Sequence, residues 1–179
     1  MAEKRRAIEM VGYMSSYLEG SNQLVAIEQG FEIDLGRLVV AGKIDRVERT
    51  GDGLIAADLK TGKSPSAKET VEHRQLALYQ LGLRESYDEP VAGGRIISVG
   101  SGSLKVLEQP ALAGEFQESI MELLSRAESQ IGQASFVANI SEHCTGDSKC
   151  QLLMAKAVTH DYAFILRNSF SCFQAQAYI

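Results

Sequence analysis

Over residues 3–19 the apolar positions Ile8, Val11, Met14, Tyr17 and Leu18 recur near i, i+3, i+6, i+9 and i+10, which predicts a helix with one apolar face. Gly20-Ser21-Asn22 ends it. From Leu24 to Leu35 the spacing turns to near-alternation (Val25, Ile27, Phe31, Ile33, Leu35), the pattern of a strand, with a slip at Gln29-Gly30 of the kind a bulge produces. Gly36 predicts a turn, Leu38 to Glu48 a second strand, and Gly51-Asp52-Gly53 a hairpin turn. Leu54 to Lys60 is apolar at almost every position, as suits a strand covered on both faces of a sheet. Thr61-Gly62-Lys63-Ser64-Pro65 reads as a loop. Residues 68–84 read as a helix with Val71, Leu76, Leu78, Tyr79 and Leu83 as its apolar members. Two strands, 93–100 and 103–107, flank a Gly-Ser-Gly turn. Residues 114–131 form an amphipathic helix whose Phe116, Ile120, Leu123, Leu124 and Ala127 share a face.

Helix, three-strand meander, helix, two strands, helix is the order of an α/β domain with a mixed sheet flanked by helices. Residues 152–179 lack a clear polar/apolar period and read as a C-terminal extension to a domain spanning 1–151. A length of 179 residues suits one domain with its own core. No run of 18 apolar residues is present and the charged start, Met1 to Arg6, lacks the apolar core of a secretory signal, so no membrane association and a cytoplasmic location are expected. The odd set Cys144, Cys150 and Cys172 argues against a disulfide framework. A net charge of -5 argues against a free-standing non-specific nucleic-acid binder, though carboxylates that hold a cation add negative charge of their own.

Candidate chemistry lies in two adjacent strands. Asp45 sits in Gly42-Lys43-Ile44-Asp45-Arg46, and Asp58 and Lys60 sit in Asp58-Leu59-Lys60-Thr61-Gly62-Lys63. If the strands pair as a hairpin, both aspartates come to one end of the sheet. Asp58 and Lys60, two apart, share a face. Two carboxylates and the Leu59 carbonyl suit a hard cation bound through oxygen. Such a cation polarises a phosphoryl oxygen and acidifies water, and a neighbouring lysine stabilises developing charge. Taken alone, Asp-x-Lys also arises on exposed strands as a surface ion pair, Gly42 as a bulge residue and Arg46 as a surface charge.

The ordered set of these two blocks with Gln75-x-x-x-Tyr79 resembles the RecB-like branch of the PD-(D/E)XK nucleases, in particular the C-terminal nuclease domains of the helicase–nucleases RecB, AddAB and AdnAB. The resemblance covers residues 24–84 well and runs more weakly to about 153. It implies a restriction-endonuclease-like core and an Mg²⁺- or Mn²⁺-dependent deoxyribonuclease (a hydrolase, with exonuclease and endonuclease modes both open) with Asp45 and Asp58 as metal ligands and Lys60 as the catalytic lysine. Gln75 and Tyr79 would position DNA or the lysine, and Glu28 is either support behind the ligands or a solvent-facing glutamate. The implied partners are DNA and a helicase subunit or helicase domains, in DNA break processing. The family's N-terminal histidine or glutamate helix has no clear counterpart: His73, His143 and His160 follow the aspartates, and Glu3, Glu9 and Glu19 stand outside any motif. This suggests a truncated member or a fragment, and leaves open a degenerate module that binds DNA or a protein partner. The cluster-binding Cys-x2-Cys-x5-Cys of some relatives survives only at Cys144 and Cys150, with Ser141 at the first position, so no iron–sulfur cluster is expected. His143 beside Cys144 falls short of a zinc set. No Walker A sequence is present, and the Gly62-Lys63-Ser64 loop offers backbone amides to phosphate.

Overall fold

The computed structural model describes residues 2–133 apart from Ser21 and Ser101. Cys144, Cys150, Cys172, His143, His160 and the 152–179 extension lie outside the described residues. Helix α1 (Ala2–Gly20) leads into β1 (Gln23–Asp34), β2 (Val39–Thr50) and β3 (Gly53–Lys60). Helices α2 (Ala67–Val71) and α3 (Arg74–Ser86) follow, then β4 (Val91–Ser98), β5 (Lys105–Pro110) and α4 (Gly114–Gly132). The sheet order is β1-β2-β3-β4-β5. All neighbours are antiparallel except β3 and β4, which run parallel and are joined through α2 and α3. A parallel pair needs such a crossover, because its two strands start at the same edge.

β3 is the central strand, and its apolar run is explained by layers on both faces. Leu54 and Ala56 pack with Leu76, Tyr79 and Leu83 of α3, while Ala57 packs with Tyr17 of α1 and Ile97 of β4. Leu54 to Asp58 are buried, and Leu59 is the exception at 39% exposure. Ala77 of α3 and Ile120 and Leu124 of α4 form a further cluster with Leu112.

Three expectations are corrected. The helix expected over 68–84 is two helices, broken at Glu72-His73. The break has a physical cause: the buried Gln109 side chain on β5 donates to the carbonyls of Thr70, Val71 and His73 at 3.0–3.1 Å, satisfying groups that a continuous helix would use itself. The expected apolar face of α1 is mostly uncovered. Tyr17 and, in part, Met14 pack on the sheet, whereas Ile8, Val11 and Leu18 are 62%, 70% and 46% exposed. The irregularity expected at Gln29-Gly30 is displaced: the register shift lies between Leu24 and Ala26, and Glu28 adopts a left-handed φ of 53°.

On the α1 side a buried polar group ties helix to sheet. Glu48 is fully buried and accepts hydrogen bonds from Tyr17 Oη at 2.8 and 2.9 Å, Arg46 Nε at 2.5 Å and Arg95 Nη1 at 2.6 Å. Burial chiefly pushes the Tyr17 hydroxyl up to about 12, opposed by its hydrogen bond from Arg95, so it remains a donor at neutral pH. A buried carboxylate persists only when partnered in this way.

Candidate active site

The backbone ladder of β2 with β3 ends at Arg46–Ala57. One step further in the same register, Asp45 falls opposite Asp58. There the strands part, and the Leu59 N–H donates to Asp45 Oδ2 at 2.9 Å. The separation begins on β1. Its pairs with β2 run through Ile27–Arg46 and Gln29–Ile44 but skip Glu28 and Asp45. Ile44 and Val47, three apart, both join the α3-side core, which strict alternation forbids. The two strands therefore change phase together at Glu28 and Asp45. A left-handed non-glycine residue costs roughly 1–3 kcal/mol, and such strain is characteristic of positions held by their surroundings.

Asp58 is 2% exposed. Its Oδ2 lies 2.8 Å from Lys60 Nζ, an ion pair without hydrogen-bond alignment, so among the described residues this buried oxygen has no hydrogen-bond partner. Lys60 Nζ also donates to Gln75 Oε1 at 3.1 Å, and Gln75 Nε2 donates to Tyr79 Oη at 2.7 Å. Gln75 and Tyr79, four apart on α3, thus present a connected pair to the lysine. Tyr79 is itself set by Phe31, edge-on at 5.8 Å and 74°. The Phe31 ring fills the space that a Cβ would take at Gly42, 2.7 Å away, and at Gly82, 2.4 Å away. Gly42 is thereby a seat for an aromatic ring, and Arg46 of the same block is a partner of Glu48. Of that block Asp45 alone faces Asp58.

The charges perturb one another. Burial raises the pKa of Asp45, the Leu59 N–H lowers it, Asp58 raises it, Lys60 lowers it and Glu28 raises it further. Tyr79 is pushed up to about 12 by burial and by the field of Asp58, so it stays a phenol. His73 is pulled below the usual imidazole value by burial and then by Lys60, against the pull of Asp58.

All five expected side chains, Asp45, Asp58, Lys60, Gln75 and Tyr79, are therefore brought together. Leu59 contributes its backbone, and its N–H and C=O point to the same side of an extended strand, towards Asp45. Glu28 is exposed and pairs with Lys43 at 3.3 Å, acting on Asp45 only through its field. Glu3, Glu9 and Glu19 are exposed on α1. Among the described residues no group of three His, Cys, Asp or Glu side chains converges as a metal site. Two carboxylates, one with an orphaned buried oxygen, remain a donor set suited to a hard divalent cation that keeps several waters. His73 is the neighbour that the sequence did not single out. Its only signal there was its place two residues before Gln75.

No curated protein matches the chain by sequence. A solved structure described as "Crystal structure of SSO0001" is similar at 20% identity and a TM-score of 0.41, over 65% of this chain and 58% of that one. The chain thus spans well under two thirds of that structure's length, and nothing about its function is drawn from so slight a likeness. Among the described residues no helix is long and apolar enough to cross a membrane. A family model described as the PD-(D/E)XK nuclease superfamily matches residues 1–154. Its match spans the five-stranded mixed sheet, the flanking helices and the Asp45, Asp58 and Lys60 cluster, and the chain belongs to the PD-(D/E)XK nuclease superfamily.

Proposed function

We propose that this chain is an Mg²⁺- or Mn²⁺-dependent deoxyribonuclease of the RecB-like branch, serving as the nuclease module of a helicase–nuclease in DNA break processing. The observation that carries the reading is the buried Oδ2 of Asp58, without a hydrogen-bond partner among the described residues and with Lys60 beside it, on a carboxylate whose field acts on Asp45 where β2 and β3 part. Asp45, Asp58 and the Leu59 carbonyl are the groups that would hold the cation. When bound, the cation neutralises charge at the phosphoryl group and acidifies water.

The remaining work belongs to the protein. The Asp45 carboxylate is fixed by the Leu59 N–H, so it enters the reaction already oriented. The Lys60 ammonium is held between Asp58 and Gln75, and Gln75 is held in turn by Tyr79. That tether aims a positive charge at the non-bridging oxygens, where charge accumulates as water adds to phosphorus and one sugar–oxygen bond to phosphorus breaks. A preorganised donor of this kind is worth about 10²–10³ in rate. The belonging to a helicase–nuclease is supported by the resemblance of the Gly42–Arg46, Asp58–Lys63 and Gln75–Tyr79 blocks in order.

The test is cleavage of labelled linear single- and double-stranded DNA in Mg²⁺ and in Mn²⁺, with Asp58→Ala and Lys60→Ala alongside. Cleavage by the parent that falls at least a hundredfold in both variants, each still folded by circular dichroism, is the expected result; Lys60→Ala should melt below the parent, because it leaves the buried Asp58 carboxylate without its ion-pair partner. Undiminished cleavage in either variant refutes the assignment. Binding without cleavage by the folded parent would leave a degenerate DNA-binding module.

A further inference from the structure

Beside the candidate active site the loop after β3 and the α2–α3 break enclose a cleft of about 260 Å³, lined by Lys60, Lys63, Ser64, Pro65, Glu69 and His73. Lys60 is shared with the catalytic cluster. The others take no part in the chemistry described above.

Among the described residues Glu69 is the one acid in the lining, and it is already committed. Its Oε2 accepts the Ser66 N–H at 2.7 Å, and its own N–H donates to Ser66 Oγ at 3.2 Å, a capping box that starts α2. Lys63 acts on Glu69 through its field, but among the described residues it forms no ion pair. His73 has a sealed Nδ1 with no hydrogen-bond partner among the described residues. Leaving a lone pair unpaired in such a place costs less than leaving an N–H unpaired, so the ring proton belongs on Nε2. A neutral ring with that N–H donor adds no repulsion to two neighbouring ammonium groups. Two lysines and one neutral N–H around a cleft whose single acid is tied to the backbone form a lining suited to an anion; the Ser64 hydroxyl donates its hydrogen to the Pro65 carbonyl at 3.3 Å.

We propose that this cleft is a phosphate subsite, in which Lys63 Nζ and His73 Nε2–H hold the DNA phosphate adjoining the one Lys60 addresses. The inference rests on the nuclease reading, since Lys60 sets which phosphate is adjacent. The group held is either an internal phosphodiester or the terminal monoester of a strand end.

The experiment is fluorescence anisotropy of the full chain with a labelled single-stranded oligodeoxynucleotide in Ca²⁺, repeated over a salt series, with Mg²⁺ cleavage measured in parallel. Lys63→Gln is expected to weaken binding and to reduce the slope of log affinity against log salt by about 0.7, one phosphate contact on a single strand. His73→Phe keeps a ring and removes the donor. It is expected to weaken binding about 2- to 10-fold, the range of one hydrogen bond, with the slope unchanged. Lys68→Gln, exposed on α2 and outside the cleft, is the control. Oligonucleotides with one methylphosphonate near the scissile position locate the contact: at one position the neutral linkage should cost the parent affinity and cost Lys63→Gln nothing more. Non-additivity at an internal linkage assigns a phosphodiester, and non-additivity only on removing the end phosphate assigns a monoester. The proposal is overturned if Lys63→Gln binds as the parent does, if Lys68→Gln loses as much, or if no single phosphate is non-additive. In those cases a parent that still cleaves keeps the nuclease reading intact. A folded parent that neither binds nor cleaves DNA removes both.

Discussion

Replacing Gln109 by leucine tests whether one buried amide holds the break that delivers His73 and Gln75 to the site. Gln109 is 2% exposed. Its Nε2 serves the carbonyls of Thr70, Val71 and His73, and its Oε1 accepts Gln80 Nε2 at 2.9 Å. The Thr70 carbonyl also accepts the His73 N–H, and the His73 carbonyl accepts the Ala77 N–H, each at 3.1 Å. Among the described residues the Val71 carbonyl has Gln109 as its one partner. Gln80 Nε2 retains the Pro110 carbonyl at 3.1 Å, and Gln80 Oε1 retains the Leu112 N–H at 2.7 Å. Leucine, of similar volume, thus strands one carbonyl and one amide N–H. The Gln80 N–H is buried and costs about 1–3 kcal/mol unpaired, whereas the Val71 carbonyl sits on a 46%-exposed residue that water can reach, so the loss is roughly 1–3 kcal/mol. For a chain of this size that lowers the melting midpoint by roughly 2–12 °C. Thermal and urea denaturation measure it. Gln109→Glu should be worse than leucine, because a carboxylate would face three carbonyl oxygens. A leucine variant within about 0.5 kcal/mol of the parent, or a glutamate variant as stable as the parent, would refute the role assigned to this amide.

Asp45→Asn retains an acceptor for the Leu59 N–H while removing a charge that burial and Asp58 disfavour. A carboxyl whose folded pKa is raised loses stability as pH rises from its unfolded pKa through its folded one. In EDTA the variant should therefore melt above the parent at neutral pH, lose that advantage as pH falls through the carboxylate range, and fail to cleave; a variant that melts lower at neutral pH would contradict the sign. Gly100→Ala would set a Cβ 1.9 Å from the Thr61 carbonyl oxygen, where the backbones after β3 and β4 touch and Arg6 reaches both carbonyls. Backbone cannot yield as a side chain does, so a loss of about 1–3 kcal/mol with a fall in cleavage is expected, checked by melting and by rate. Gly82→Ala gains about 1 kcal/mol of helix propensity but drives into the base of Phe31, so a net loss of roughly 1–2 kcal/mol is expected, again read by melting.

The sequence made the sheet legible wherever burial was written into one strand. β3 shows this best: its apolar run and the offset of two between Asp58 and Lys60 are local facts, and both reappear as layers and a shared face. The hairpin likewise placed Asp45 opposite Asp58, and the spacing of four placed Gln75 beside Tyr79. What stayed hidden depends on partners far along the chain. Nothing within residues 68–84 reveals the break at Glu72-His73, because the amide that stabilises it arrives on β5, more than thirty residues later. The role of His73 is hidden for the same reason, since its value lies in standing near Lys60. The face of α1 is a different case: periodicity shows that a helix has an apolar side but not whether anything covers it.

The Gly42–Arg46 block shows why an ordered motif carries more than its single letters do. Gly42 leaves room for Phe31, which sets Tyr79 and through Gln75 the lysine. Arg46 binds Glu48, whose other partners come from α1 and β4. Asp45 lies between them at the one position where the strand changes phase, freeing its carboxylate for the Leu59 N–H and the space before Asp58. The three tasks, steric, structural and electrostatic, act on different neighbours. A chance Asp-x-Lys pair would have no reason to be accompanied by all three.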